Sequence, residues 1–430
     1  MLEDNEIKLD DEENEDILLN DKILEKEEET INIIAKKYNN DEKISKDTIM
    51  VSRFDEKSGH IIYFIKGSVI EGELKRRYKE FYAYYEKLKK RWPGIYVPPI
   101  SKKQIFNNFD IETLKKRKYQ LDIFVKEIYK THYLYESEES KIFFSKDYGE
   151  DTNFDIIKAL NSLPDYSKKE ICDNYITKIQ PFYNNLKKIE FTEEQYHFCI
   201  QYIDNFIKIL TDYKELCTEV GLEKEVIIKN SSETLQLFEN FEKLAVSEFI
   251  KNNNSQLIFY NASNFKLSQA LLEFKKGMKN PYNIIANWIR QKEIELISIK
   301  ESLNKYMKMT NEKQNLVMEL SNIENKISDL NQGKKGFFAT ITMKDPEKLK
   351  EKYNKEKESK ELDIKSMNKI IEILKDYYSF YIYDFFKLLK LSLYDLIKNY
   401  ASCQLNNSIK NSEFWLKVKI EDSGELKNDI

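Results

Sequence analysis

The chain has 430 residues, of which 41% are hydrophobic and 33% are charged, and its formal net charge is −4 at pH 7. This length allows two or three domains. The charged fraction and a mean hydropathy of −0.64 argue against one compact core and favour long helices with solvated faces. Because no run of about eighteen apolar residues occurs, the sequence predicts no membrane-spanning segment.

Residues 1–47 are an acidic first segment, in which residues 1–30 hold 14 acidic and 3 basic side chains. The low apolar density of this segment cannot offset the entropy of an ordered chain, so we expect a disordered acidic tail over residues 1–47. The segment also lacks the apolar stretch of a secretion signal. We therefore expect a cytoplasmic protein whose contact with membranes is peripheral.

Residues 48–147 are predicted to form an α+β domain of ordinary size. β-Branched and aromatic residues at 48–52 and 61–65 predict two strands joined by a turn, and a third strand is expected to end near Tyr78. Helical spacing of apolar residues follows at 81–88 and 111–130, and a short helix closes the domain near residue 143. The expected fold is a three-stranded antiparallel sheet plus helices.

Residues 148–165 are predicted to be a linker that carries a short amphipathic helix. Phe154, Ile157 and Leu160 share one helical face, and Pro164 ends the pattern. Two interpretations stay open at this stage. The apolar face inserts into a membrane, or it packs against the helical region that follows.

Residues 166–420 are predicted to be all-α, with residues 421–430 as a tail. From residue 182 onward there are only two prolines and five glycines, which are too few for sheets with tight turns. We expect three helical segments. The first reaches about residue 251, the second covers about 262–331 with a kink at Pro281, and the third runs from Pro346, with Asp345 as N-cap, to about Val418. Such helices predict an elongated three-helix coiled coil, and an exposed apolar stripe predicts a dimer.

The main functional signal is a basic run followed by a proline segment and a helix. Residues 75–118 hold 14 basic and 4 acidic side chains, which indicates a polyanionic partner such as lipid headgroups or nucleic acid. Arg77 can form a bidentate fork for a phosphate, and Tyr78 offers a flat face to a sugar-like ring. A lysine after the prolines can neutralise a second phosphate, and an arginine on the next helix can bind ring hydroxyls. The candidate binding residues are Arg76, Arg77, Tyr78, Lys102, Lys103 and Arg117.

These motifs resemble those of the phox-homology (PX) domain family over residues 48–147. The run at 76–81 resembles the arginine–aromatic motif of that family, residues 98–103 resemble its proline loop, and residues 117–121 resemble the segment with its binding-helix arginine. Ser101 departs from the family pattern, which usually has a proline there. Which of the two following lysines faces the lipid therefore stays open.

The resemblance implies a role for each of four residues. Arg77 would hold the 3-phosphate of a phosphoinositide, and Tyr78 would stack on the inositol ring. Lys103 would meet the 1-phosphate, and Arg117 would bind ring hydroxyls.

A PX domain followed by three long helices is similar to the sorting nexins that carry a BAR domain. The start of the last helix at 345–349 and its end around Trp415 resemble the retromer-associated group. This resemblance implies a peripheral protein that binds phosphatidylinositol 3-phosphate on endosomes and senses or generates membrane curvature for endosomal protein sorting and retrograde transport. The implied partners are an anionic membrane surface, a second copy or another BAR sorting nexin for dimerisation, and retromer subunits.

Several side chains are candidates for membrane contact. Ile105 and Phe106 follow the proline segment, and they either enter the bilayer or belong to the domain core. A Gly-Lys-Lys-Gly-Phe-Phe segment at 333–338 combines aromatic side chains with lysines. The full set of candidates is Ile105, Phe106, Phe154, Ile157, Leu160, Lys334, Lys335, Phe337 and Phe338.

Nothing in the sequence has the pattern of a catalytic or metal site. His60, His132 and His197 are isolated from one another and from the four cysteines, and neither a Gly-rich phosphate loop nor a Gly-x-Ser-x-Gly motif occurs. We therefore expect no enzyme activity, no catalytic residues, no metal and no cofactor. The cysteines lie in apolar helical contexts and are expected to be buried and reduced.

Two alternative functions are weighed against this interpretation. One is an endocytic or autophagic sorting nexin, and the other is a coiled-coil scaffold whose basic patch binds a protein or a nucleic acid. The aromatic residue beside Arg77 and the proline segment favour a lipid headgroup, because a general basic patch needs neither. We accordingly expect no nucleic-acid partner.

Overall fold

The computed structural model describes residues 49–57, 59–101, 111–149, 154–183, 191–241, 244, 267–332 and 346–418. The chain divides into two compact units. The sheet unit comprises Met1–Phe81 and Lys103–Ala159, and the helical unit comprises Tyr82–Lys102 and Leu160–Ile430.

The sheet unit is built on three antiparallel strands in the order β1 (Ile49–Lys57), β2 (His60–Gly67) and β3 (Ile70–Arg77). Gly59 lies in the turn between β1 and β2 with φ +72°, a left-handed conformation that glycine adopts without strain. The pairing aligns Tyr63 of β2 with Arg76 of β3. The three strands predicted from the sequence are confirmed, including the end of the third strand beside Tyr78.

The helices that begin in this unit are α1 (Tyr78–Arg91), α2 (Ile111–Lys130), α3 (His132–Tyr135), α4 (Glu138–Phe143) and α5 (Ile156–Ser162). Phe81, in the first turn of α1, lies at the centre of the core. Its ring makes edge-type contacts with Tyr63, Phe124 and Phe143 at centroid distances of 6.2, 6.4 and 5.0 Å. These contacts bury one face of the sheet against α1, α2 and α4.

The helical unit contains α6 (Lys168–Asn174), a π-helical turn (Tyr175–Ile179), α7 (Gln180–Tyr183), α8 (Glu193–Phe241), α9 (Leu267–Gly277), α10 (Pro281–Asn331) and α11 (Pro346–Val418). Three of these are long, with 49 residues in α8, 51 in α10 and 73 in α11. The middle one, α10, packs against both α8 and α11. The predicted fold class, a three-stranded sheet with helices followed by an all-α region, is confirmed.

The segment after α1 is part of the core of the helical unit. Trp92 stacks on Tyr175, whose Oη donates a hydrogen bond to the Pro93 carbonyl at 2.6 Å. Tyr378 Oη donates to the Gly94 carbonyl, also at 2.6 Å. A Cβ on Gly94, where φ is +84°, would lie 2.9 Å from Leu374, so both the backbone conformation and the close packing favour glycine there.

The expected kink at Pro281 is instead a break between two helices. α9 ends at Gly277, and α10 begins at Pro281, with Asn280 as its N-cap. The Asn280 side-chain oxygen accepts a hydrogen bond from the Tyr282 backbone nitrogen at 3.1 Å. Proline is well suited to the first position of a helix because the missing N–H would have no partner there.

The four cysteines are buried in the helical unit and form no disulfide, as the sequence predicted. Burial raises the pKa values of the Cys172, Cys199 and Cys217 thiols. Among the helices that the structure describes, none combines the length and the hydropathy needed to cross a bilayer.

Candidate phosphate-binding site

The junction between β3 and α1 positions the first two candidate residues. Consecutive strand residues point to opposite faces, and accordingly Arg76 is 2% exposed whereas Arg77 is half-buried. α1 begins directly afterwards, at Tyr78. Glu80 Oε2 accepts a hydrogen bond from the Arg77 backbone nitrogen at 2.7 Å, as the third residue of a helix does in a capping box. The conformation of the chain at Arg77 and Tyr78 is thus fixed locally.

Arg76 uses its guanidinium inside the sheet unit. It donates hydrogen bonds to the carbonyls of Lys75, Phe143, Ser145 and Tyr148, so four of its five N–H groups serve the fold. Burial lowers the pKa of Arg76 to about 10, which still leaves it charged at neutral pH. This differs from the expectation that Arg76 belongs to the headgroup site, because the buried side of β3 holds it against main-chain oxygens.

Gly149 makes room for this arrangement. Its φ is +121°, and a Cβ there would lie 2.7 Å from Arg76 Nη1. A side chain at position 149 would therefore displace the buried guanidinium. No sequence motif pointed to Gly149, since its importance depends on a contact with a strand more than seventy positions earlier.

Arg117 lies in α2 and is 7% exposed. Its guanidinium carbon lies 4.7 Å from the centre of the Tyr78 ring, within the range of a cation–π contact. α2 is joined to the sheet because Asp122 Oδ1 accepts a hydrogen bond from the Val51 backbone nitrogen at 2.9 Å. The structure thus brings Arg117 against the ring that follows Arg77 in the chain.

Tyr63 is a neighbour of Arg117 that the sequence analysis did not single out. It is fully buried in β2. Burial raises the pKa of the Tyr63 hydroxyl, and the nearby positive charge of the Arg117 guanidinium lowers it in part. The β-branched and aromatic run at 61–65 predicted the strand that contains Tyr63 but carried no sign of a link to the candidate site.

The side chains of Arg77, Tyr78 and Arg117 suit a particular kind of ligand. A guanidinium offers paired N–H donors that match two oxygens of a phosphate, and a phenol ring offers a flat face to a cyclic alcohol. Two arginines beside one aromatic ring are therefore suited to a phosphate ester on a ring that also carries hydroxyls.

The short helix α5 differs in part from its predicted role. Asp155 Oδ1 accepts hydrogen bonds from the backbone nitrogens of Ile157 and Lys158 and so caps its first turn. Phe154 is 64% exposed and Ile157 is half-buried, but Leu160 is completely buried. Leu160 therefore packs within the protein, in line with the second of the two interpretations.

The remaining candidate residues lie outside the described part of the chain. They are Lys102, Lys103, Ile105, Phe106, Lys334, Lys335, Phe337 and Phe338. Over the residues that the structure does describe, no group of three or more His, Cys, Asp or Glu side chains could hold a metal ion.

Part of the chain matches a known domain family, and its fold resembles that of solved structures. Residues 68–147 match the family model of the PX domain. Eleven chains of solved structures match the fold, and no curated protein sequence matches the chain. One of the structures is the cryo-EM structure of the SNX-BAR Mvp1 tetramer, with a TM-score of 0.50 and 15% sequence identity. The match covers 86% of this chain and 99% of that one.

The family match and the candidate site fall in the same part of the chain. The candidate residues Arg77, Tyr78 and Arg117 all lie within residues 68–147, which match the PX domain. The chain as a whole has a fold similar to that of an SNX-BAR protein, in which a PX domain is combined with a BAR domain.

Proposed function

We propose that this chain is a peripheral membrane protein that binds phosphatidylinositol 3-phosphate on endosomes through Arg77, Tyr78, Lys103 and Arg117. The observation that carries the proposal is the 4.7 Å approach of the Arg117 guanidinium to the Tyr78 ring, directly beside Arg77 in the chain. In this assignment Arg77 holds the 3-phosphate, Tyr78 stacks on the inositol ring, Arg117 binds ring hydroxyls, and Lys103 or the adjacent Lys102 meets the 1-phosphate. Arg76 has no part in the site because its donors serve the fold.

Contact with the bilayer would extend beyond the headgroup. Each lysine close to an anionic leaflet contributes on the order of 1 kcal/mol, and exposed aromatic side chains add buried apolar area. Phe154 is the described candidate that is most exposed. The proposed contact residues are Ile105, Phe106, Phe154, Ile157, Lys334, Lys335, Phe337 and Phe338, and Leu160 is left out because it is buried.

We propose further that residues 166–420 are a BAR domain that forms a homodimer, or a heterodimer with another BAR sorting nexin. The support is an apolar surface on α8 and α11. Large side chains there are 42–69% exposed, and such a surface is unusual on a protein that stays monomeric. They include Phe198, Tyr202, Ile209, Tyr213, Leu216, Leu222, Ile227, Tyr383, Leu388, Leu391, Tyr394, Ile397 and Leu405.

An aromatic groove on the same surface supports the proposed dimer. Its volume is about 450 Å³, and its lining comes from α8, α10 and α11. Tyr202 packs edge-on against Phe386 across the groove at a centroid distance of 5.1 Å. Insertion of apolar side chains from a second subunit would fill this groove and remove the surrounding apolar surface from water.

The cellular role that fits these properties is endosomal protein sorting and retrograde transport, with the dimer sensing or generating membrane curvature. Retromer subunits are the proposed partners in that role. The likeness in fold to an SNX-BAR protein supports this assignment.

The test of the headgroup site is flotation of the full chain with liposomes. Arg77→Ala is expected to weaken binding to liposomes that contain phosphatidylinositol 3-phosphate by about tenfold or more, because a charge-assisted pair of hydrogen bonds is lost. The matched control is Lys116→Ala, which removes one exposed positive charge from the same domain and should bind nearly as well as the parent.

Liposomes of different lipid composition separate recognition of the 3-phosphate from general electrostatic attraction to an anionic membrane. Liposomes with unphosphorylated phosphatidylinositol should bind the parent weakly and should not distinguish the two variants. If Arg77→Ala floats with the 3-phosphate liposomes as well as Lys116→Ala does, the assignment of the site is wrong.

A further inference from the structure

The helical unit contains a basic cleft that is separate in its residues from the site described above. The cleft has a volume of about 950 Å³ and lies between α10 and the segment from Tyr82 to Val97, with residues around Asp165 at its edge. A volume of this size suits a small ligand. Five lysines line it against three carboxylates, so the lining carries a net positive charge. The charged residues are Lys87, Lys89, Lys90, Lys305, Lys308, Glu86, Asp165 and Glu301.

The ammonium groups of the three lysines on α1 form ion pairs or hydrogen bonds within the protein. Lys89 Nζ lies 2.8 Å from Glu301 Oε2, and Lys90 Nζ lies 2.6 Å from Asp165 Oδ2. Lys87 Nζ donates to the Leu163 carbonyl at 2.6 Å. These bonds consume two of the three carboxylates of the lining, which leaves only Glu86 to balance the other lysines.

The two lysines on α10 are different. Lys305 and Lys308 are exposed, and neither forms an ion pair with any residue in the described ranges. They are three positions apart on one helix, so both ammonium groups lie on the same side of it. Two like charges held about one turn apart repel each other, and an anion between them would relieve that repulsion.

The walls of the cleft are joined before any ligand arrives. Ser298 Oγ donates a hydrogen bond to the Val97 carbonyl at 2.8 Å, and the ion pair of Lys89 with Glu301 spans the same two walls. Asn304 also lines the cleft, and its side-chain oxygen accepts a hydrogen bond from Tyr196 Oη at 2.9 Å. Because this oxygen is occupied, the NH₂ group of Asn304 is the part of the side chain that can donate to a ligand. A preformed cleft loses little entropy on binding.

We propose that this cleft binds a compact polyphosphate, with Lys305 and Lys308 as its principal ligands and Asn304 as an additional donor. The ligand is either the headgroup of a phosphoinositide that carries several phosphates or a soluble inositol polyphosphate, since both present clustered phosphate oxygens. The proposal does not depend on the phosphatidylinositol 3-phosphate site, because the two sets of residues do not overlap.

The test uses isothermal titration calorimetry with inositol hexakisphosphate as the probe and the full chain carrying Arg77→Ala, so that the proposed headgroup site does not contribute. Adding Lys305→Ala and Lys308→Ala is expected to weaken binding at least tenfold. The control pair Lys365→Ala and Lys375→Ala removes the same charge from exposed positions on α11 that do not line the cleft, and it should retain the affinity. Lys305→Arg with Lys308→Arg keeps the charge and should also retain it.

A vesicle arm distinguishes the two sources of the ligand. The same variants are floated with phosphatidylcholine vesicles that contain phosphatidylinositol 4,5-bisphosphate. A parallel loss of flotation in the Lys305/Lys308 alanine pair identifies a lipid headgroup, and a loss confined to the soluble probe identifies a free polyphosphate. Equal affinity of this pair and the Lys365/Lys375 pair for inositol hexakisphosphate overturns the proposal. If the alanine pair fails to fold, Lys305→Gln with Lys308→Gln is compared in its place.

Discussion

Arg76 and Arg77 are adjacent arginines with opposite surroundings. The alternation of a strand turns one toward the core and the other toward the surface, so the same side chain has a structural role at one position and a proposed binding role at the next. Arg76 joins β3 to the last residue of α4 and to the segment after it, through the carbonyls of Phe143, Ser145 and Tyr148. A substitution at Arg76 should therefore lower the stability of the domain, whereas a substitution at Arg77 should weaken lipid binding.

Arg76→Ala is expected to destabilise the PX domain by about 3 kcal/mol, because it leaves several buried carbonyls without donors. For a domain of this size such a loss lowers the Tm by about 10 °C or more, which differential scanning calorimetry can measure. Arg77→Ala should leave the Tm within about 3 °C of the parent, because Arg77 is only half-buried and does not hold the carbonyls that Arg76 holds. A Tm for Arg76→Ala equal to that of Arg77→Ala would contradict the structural role.

The sequence supplied much of this site but not all of it. It predicted Arg77, Tyr78 and Arg117 as a group, and the structure brings Arg117 onto Tyr78. It kept Arg76 among the candidates beside Arg77, because a run of basic residues at the end of a strand carries no sign of which face meets the core. Gly149 was missed because its role depends on packing between segments far apart in the chain.

At the scale of elements, the junction between α9 and α10 is held by hydrogen bonds to two neighbouring helices. Asn280 caps α10 and also donates through Nδ2 to the Gly221 carbonyl of α8 at 2.9 Å and to Glu225 Oε1 at 3.0 Å. On the opposite side, Asn407 of α11 exchanges two hydrogen bonds with the backbone of Lys279. The break in the helix is thus fixed to both neighbouring helices.

Asn280→Ala is expected to destabilise the helical unit by about 2 kcal/mol, since it removes a helix cap together with the hydrogen bonds to α8. In a unit of this size the Tm should fall by about 4 °C or more, as measured by thermal unfolding followed by circular dichroism at 222 nm.

The matched control for this junction is Asn322→Ala, an exposed position inside α10. Alanine has the higher helix propensity, so this substitution should leave the Tm unchanged or raise it slightly. Equal Tm values for the Asn280 and Asn322 variants would show that the junction does not stabilise the unit.

The long helices were predicted, and the break between α9 and α10 was missed. The scarcity of glycine and proline predicted α8, α10 and α11, and the pattern at Pro346 predicted the start of the last helix. The prediction of a kink at Pro281 was wrong, although Asn280 and Pro281 form the same cap-then-proline pattern that predicted the start of α11. The hydrogen bonds of Lys279 to Asn407, which also hold the break, are tertiary and carry no local signal.

At the scale of the whole molecule, the proposed function depends on two copies acting together. A single headgroup pocket built from two arginines and one ring binds modestly. A dimer presents two pockets, and once one is occupied the other meets its lipid at a high effective concentration. Membrane binding should therefore rise steeply with the surface density of the lipid, and this steepness should disappear in a monomer.

Ile209→Glu with Leu216→Glu tests this coupling. Both side chains are exposed on α8, at 61% and 55%, and a charge there would be buried without a partner in the proposed dimer. We expect a monomer in analytical ultracentrifugation and at least a tenfold loss of binding to liposomes with sparse phosphatidylinositol 3-phosphate, although each pocket is intact. Asn205→Glu adds a charge at an exposed position of the same helix and should stay dimeric. A monomeric double variant that binds sparse lipid as tightly as the Asn205 variant would show that membrane attachment does not require the dimer.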